Sequence, residues 1–86
     1  MKIELAYFGR PSEFLMMTSE SMIIPERSCT LGQVLNRLRE RGDRWVYELD
    51  DSHVICTVER KSAMPAETLV DGDEIGIFSR RSLFEI

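Results

Sequence analysis

One segment limits the folds open to this chain more than any other: TLGQVLNRLRERG, residues 30–42. Leu31, Val34, Leu35 and Leu38 recur at i, i+3, i+4 and i+7, which makes one apolar stripe along a helix. Thr30 is placed to cap that helix, and Gln33, three residues on, completes a capping box. The arginines crowd its C-terminal end, where cations suit the helix dipole, and Gly42 supplies a stop. A stripe of this kind has to be buried, so the rest of the chain must provide an apolar surface to receive it.

That surface reads as a sheet. KIELAYF alternates, with Ile3, Leu5 and Tyr7 on one side and Lys2, Glu4 and Ala6 on the other, which is a strand with one face buried. Gly9, Arg10, Pro11 and Ser12 break it, and the short segment with Phe14 and Leu15 suits a helical turn. SESMII is a second strand, stopped by Pro25. Beyond the helix, DRWVYELDD is compatible with a short second helix capped by Asp43, and Asp50-Asp51-Ser52 with a turn. HVICTV is a β-branched strand. Glu59-Arg60-Lys61-Ser62 reads as a polar turn, and Ala63 to Val70 as irregular chain around Pro65. Asp71-Gly72-Asp73 is a strong turn signal, and EIGIF is the last clear strand. A helix between strands asks for a parallel or mixed sheet. The expected architecture is an α+β roll: a mixed four- to five-stranded sheet with one main helix packed on one face.

Size and charge narrow the function. With 86 residues the chain suits one domain, and a domain this small buries only about 60% of the surface its unfolded chain exposes. A deep enclosed active site is hard to build on that scale. The net charge is −4, whereas nucleic-acid binding draws on a basic surface. Arg37, Arg39, Arg41 and Arg44 do cluster, but acidic residues follow directly, and the group reads as a solvated helix end. Cys29 and Cys56 have no metal-ligand spacing and read as reduced thiols, one in a loop and one in a strand. No apolar run approaches the ~20 residues that span a bilayer, and the N-terminus runs straight into a strand pattern rather than a signal peptide. A cytoplasmic protein with no membrane contact is the expectation.

No motif carries chemistry of its own. His53 is the only histidine and sits at a strand start with no nucleophile in its sequence context, so a satisfied polar side chain is the expected role. Asp71, Asp73 and Glu74 read as turn acids facing water, and the five glycines are scattered rather than gathered into a phosphate loop. No catalytic residue, metal site or cofactor is expected.

The pieces nevertheless fall into a recognisable order. YFGRPSEFL after the first strand, the TLGQVLNRL helix, DRWVYELDD and LVDGDEIGIF together resemble the small subunit of molybdopterin synthase, a branch of the ubiquitin-like β-grasp sulfur carriers. The resemblance covers roughly residues 1–78, which implies a β-grasp domain over 1–78 and a separate tail over 79–86. It implies a role as a carrier subunit in molybdenum cofactor biosynthesis. It also implies two protein partners: a large synthase subunit, and a ubiquitin-activating-like adenylyltransferase that activates a C-terminal Gly-Gly for conversion to a thiocarboxylate. Phe8 and Phe78 match the aromatic residues of the family's docking patch.

The tail departs from that pattern. Phe78 is followed by Ser79-Arg80-Arg81-Ser82-Leu83-Phe84-Glu85-Ile86, and no Gly-Gly occurs anywhere. Glycine lets walls approach a backbone closely, so Leu83, Phe84 and Ile86 conflict with threading a narrow channel. Large apolar residues there suit binding better than reaction, either over the chain's own sheet edge or as a strand added to a partner's sheet. Arg80 and Arg81 would steer an acidic partner. The expected partner-binding residues are therefore Phe8, Phe78, Arg80, Arg81, Leu83, Phe84 and Ile86. The alternative to a carrier is a β-grasp binding module, structural or regulatory, that has lost sulfur transfer. A third reading, an RNA-binding β-grasp appendage, rests on the Arg37–Arg44 cluster alone.

Overall fold

A computed structural model describes residues 1–80. Its centre is a five-stranded mixed sheet in the order β2-β1-β7-β4-β5. β1 (Lys2–Tyr7) pairs antiparallel with β2 (Ser19–Ile23) and parallel with β7 (Glu74–Ser79). β7 pairs antiparallel with β4 (Val54–Val58), and β4 with β5 (Lys61–Ala63). A two-stranded ladder of β3 (Cys29–Thr30) and β6 (Thr68–Leu69) stands apart. Among the described residues no helix is long and apolar enough to cross a membrane.

The main helix, α2 (Leu31–Arg39), has the predicted start: Thr30 accepts from the Gln33 N–H, and the Gln33 side chain accepts from the Thr30 N–H. All four stripe residues are buried, against the inward positions Ile3, Leu5, Ile75 and Ile77 of the sheet. Burial of the stripe, more than helix propensity, is what holds so short a helix.

Several local expectations need correction. β1 ends where expected, and the helical turn expected around Phe14 and Leu15 is a six-residue helix that already starts at Arg10, α1 (Arg10–Leu15). Pro11 lies in its first turn, where a missing N–H costs nothing, and the Gly9 carbonyl receives the Ser12 and Glu13 N–H groups. The short helix α3 (Asp43–Glu48) forms, but Gly42 rather than Asp43 holds the N-cap position, with no side-chain cap. The polar turn is only Glu59-Arg60, and Lys61 and Ser62 are already strand. Both turn residues have positive φ, 50° and 68°. Such tight hairpin turns are usually announced by Asn-Gly or Asp-Gly, so Glu-Arg carried no signal. Cys29 lies in a strand pair rather than a loop, because Thr68 and Leu69 in the supposedly irregular stretch pair with it.

Two polar expectations also change. Asp73 is buried and its carboxylate accepts the Val70 N–H at 2.8 Å, while exposed Asp71 accepts the Lys2 N–H at 2.7 Å. Asp73 thus closes the turn before β7 on itself and Asp71 ties that turn to β1, instead of both merely facing water. The arginine cluster is likewise engaged. Arg37 pairs with Glu26, and Arg39 bonds the Leu49 carbonyl at 3.0 Å and Asp51 at 2.8 Å. Arg44 reaches the Phe14 carbonyl at 3.2 Å. Arg41 grips Glu20 with both terminal nitrogens, at 2.7 and 3.1 Å, and lies 4.6 Å from the centre of the Trp45 ring. Glu20 also accepts from the buried Tyr7 hydroxyl at 2.7 Å. Burial pushes the Glu20 carboxyl up, but Arg41 and Tyr7 together outweigh it and hold the carboxyl below its ordinary range.

Candidate functional site

The helices leave the other face of the sheet uncovered, and its composition follows from register. Glu4 and Ala6 of β1 stand beside Glu74 and Gly76 of β7. Thr57 and Ile55 of β4 stand beside Gly76 and Phe78. The alternation that sends Ile3, Leu5, Tyr7, Ile75 and Ile77 inward sends these residues outward. The result is a strip of small residues, Ala6 and Gly76, ending in aromatics.

Phe8 follows directly after β1, where its N–H donates to the Ile77 carbonyl at 2.9 Å and continues the parallel ladder by one step. This places its ring on that of Phe78: the centroids are 4.6 Å apart and the planes within 9°. Phe8 remains 45% exposed although large and apolar, and neither ring belongs to the core cluster. The Phe78 ring also folds back over Gly76. A Cβ added there would lie 2.5 Å from the Thr57 hydroxyl oxygen and 2.9 Å from a Phe78 ring carbon. A shallow groove of about 300 Å³ runs over this floor, between Phe8 and Phe78 at one end and Arg60 and Glu74 at the other. An apolar centre with a charged rim is the usual anatomy of a protein-docking surface.

Of the predicted site residues, Phe8 and Phe78 therefore come together. Arg80 does not join them. Its N–H donates to the His53 carbonyl at 2.8 Å, just past the end of β7, and its guanidinium lies 3.5 Å from the Val54 carbonyl. Arg81, Leu83, Phe84 and Ile86 lie outside the described residues. Gly76 and Thr57 belong to the site and were not singled out in the sequence. A glycine inside a strand pattern was the available signal, since it often marks a close approach.

The remaining candidates are structural. His53 donates from Nδ1 to the Tyr47 carbonyl at 2.7 Å and rests against the Tyr47 ring, a satisfied polar side chain as expected. Glu48 is buried, and Arg10 faces it at 3.5 Å. Both cysteines are free and buried. Burial pushes the Cys56 thiol up to about 11, so it is protonated and unreactive near neutral pH.

A mixed sheet with a parallel β1–β7 centre and one main helix across it defines the β-grasp, ubiquitin-like fold. No family model and no curated protein sequence matches the chain. Solved structures do. A Pyrococcus furiosus protein assigned as molybdopterin converting factor, subunit 1, superposes with a TM-score of 0.74 at 19% identity, over 92% of this chain and 97% of its own. Small archaeal modifier protein 1 of Haloferax volcanii gives 0.70 at 23% identity, over 92% and 94%. The HVO 2177 protein of Haloferax volcanii gives 0.76 at 25% identity, over 92% and 82%. The likeness read in the sequence and the likeness of the structures converge on one fold, that of the small molybdopterin-converting subunit and the archaeal modifiers.

Proposed function

We propose that this protein is a sulfur-carrier-like small subunit that docks a protein partner through the open face of its sheet, and that its pathway is molybdenum cofactor biosynthesis. The observation that carries the reading is the stacked Phe8–Phe78 pair over Gly76. A small domain gains little from leaving the half-exposed Phe8 ring, stacked on Phe78, at its surface unless something covers it. The fold shared with the molybdopterin converting subunit supports a large synthase subunit as that cover, and a ubiquitin-activating-like adenylyltransferase as a second partner of the same face. This protein supplies the docking surface and no reacting side chain of its own.

The direct test is binding to a molybdopterin synthase large subunit, measured by calorimetry. Phe8→Ala and Phe78→Ala should each weaken it roughly 10- to 100-fold, as truncating a central aromatic anchor does. Unchanged binding in both variants overturns the docking face.

A second reading is favoured by one specific feature. Residues 80–86 contain no glycine, and Leu83-Phe84 stand where the family's diglycine would align. On this reading the protein is a binding module that has left sulfur chemistry behind. Intact mass after incubation with the activating enzyme, ATP and a sulfur donor separates the two. A mass gain corresponding to exchange of oxygen for sulfur supports the carrier. A gain only on a twin given a Gly-Gly ending supports the module.

A further inference from the structure

The five-stranded sheet has two edges, and they are finished differently. β5, at one edge, spans only Lys61–Ala63, opens on a lysine and stops before Pro65. Short length, lysine and proline are devices that keep a sheet edge from pairing with another chain. β2, at the other edge, runs for five residues, Ser19-Glu20-Ser21-Met22-Ile23, with no lysine, proline or glycine. Its single charge, Glu20, is already answered within the chain by Arg41 and the Tyr7 hydroxyl.

The backbone of β2 is open by register. The Tyr7 N–H donates to the Thr18 carbonyl at 2.9 Å, and the Ile24 N–H to the Met1 carbonyl at 2.7 Å. Alternation then turns the backbone groups of Thr18, Glu20, Met22 and Ile24 towards β1, and those of Ser19, Ser21 and Ile23 away from the sheet. Among the described residues these outward groups have no hydrogen-bond partner. The side chains of Ser19 and Ser21 are small, and that of Ser21 is folded onto Glu4 at 2.6 Å, clear of the edge. Ile23 is 76% exposed.

This edge is complementary to itself. An antiparallel pairing with a two-fold axis at Ser21 sets Ser21 against Ser21 and Ser19 against Ile23 of the second copy. It uses every outward N–H and carbonyl, roughly six bonds. Glu20 then lies opposite Met22, so no two charges face each other, and the two Met22 side chains approach along the diagonal. An axis at Glu20 would set two glutamates directly opposite. An axis at Met22 would shorten the ladder, since Pro25 has no N–H to extend it.

We infer that β2 pairs antiparallel with β2 of a second copy of this chain, about a two-fold axis at Ser21, to give one continuous sheet across a dimer. Pairing edge to edge leaves the face that carries Phe8 and Phe78 uncovered on both copies. The inference therefore rests on neither the pathway nor the docking face proposed above, and its test involves no other protein.

The test is sedimentation velocity of the full chain over a range of concentrations, with amide hydrogen exchange at the same concentrations. A dimer is expected, in which the amides of Ser19, Ser21 and Ile23 become severalfold better protected as concentration rises. Ser21→Pro removes an N–H that the single chain does not use, so the variant should fold and its dimer should dissociate roughly tenfold or more readily. Paired residues of this kind stand about 5.5 Å apart, within reach of a disulfide. Ser21→Cys should therefore cross-link to itself on oxidation. Ser19→Cys should cross-link only when mixed with Ile23→Cys, and the native cysteines, being buried, should not interfere. A monomer up to millimolar concentration overturns the inference. So does a dimer that Phe8→Ala dissolves while Ser21→Pro leaves it intact, because the open face would then be the interface. Self-cross-linking of Ser19→Cys or Ile23→Cys in place of Ser21→Cys rejects the register.

Discussion

The two faces of the sheet are made by the same strands and obey different rules. On the covered face Ile3, Leu5, Ile75 and Ile77 are almost wholly buried under the stripe of α2. On the open face the same strands present Glu4, Ala6, Glu74 and Gly76, and end in the half-exposed Phe8 and its stacked partner Phe78. The covered face is shaped by volume, and a change there should show in stability. The open face is shaped by access, and a change there should show in binding. The small Gly76 leaves room for the Phe78 ring and the Thr57 hydroxyl to lie over its backbone.

The largest effect should come from the covered face. Leu38→Ala removes a fully buried side chain and should cost about 2–5 kcal/mol in chemical denaturation, the range for cavity-forming core changes. A cost below 1 kcal/mol would mean that the helix-side layer is not the core that the comparison assumes.

Next in size is a pH effect from the same layer. The unfolded Cys56 thiol ionises near the ordinary cysteine value of roughly 8.5, and the folded one at about 11. The unfolded state loses its proton first. Stability from this group is therefore complete below the lower value and drains away as pH rises towards the upper one, by roughly 3 kcal/mol. Denaturation midpoints measured across that window should fall, and Cys56→Ala should flatten the decline. An equal slope in the variant would assign the loss to other groups.

Gly76→Ala tests whether the open face is shaped by contact with its own rings. Its Cβ meets Thr57 and the Phe78 ring too closely, so the ring must swing away or the strand shift. A cost of about 1–3 kcal/mol is expected, with loss of the Phe8–Phe78 stack in the aromatic proton spectrum. An unchanged spectrum would separate Gly76 from the aromatic patch.

The smallest stability change should be that of Phe8→Ala, below roughly 1 kcal/mol, because its ring lies outside the core and is already half in water. A melting temperature lowered as far as by Leu38→Ala would make Phe8 a core residue and erase the difference between the faces.

Where sequence reasoning succeeded, the information was local. The capping box at Thr30 and Gln33, the stripe of α2 and the alternation in β1 are set by neighbours within a turn or two of chain, and each formed as its pattern required. A single helix with strands on either side was enough to call for a mixed sheet. The hairpin at Glu59-Arg60 was not legible, since its positive φ angles are held by the strands it joins rather than by glycine or asparagine. The roles of Asp73 and of the arginines also waited on the fold, because their partners are carbonyls, amides and charges that the chain path brings to them.

The aromatic patch divides in the same way. The sequence by itself determined that Phe8 and Phe78 sit at the ends of their strands and that a glycine interrupts the last one. Only the tertiary structure decided that β1 and β7 run parallel, side by side, with Ala6 level with Gly76. That pairing joins opposite ends of the chain, and nothing in either strand's own alternation specifies its neighbour or its direction. Burial of both inner faces under one helix selects the register, and the stack of Phe8 on Phe78 follows from it.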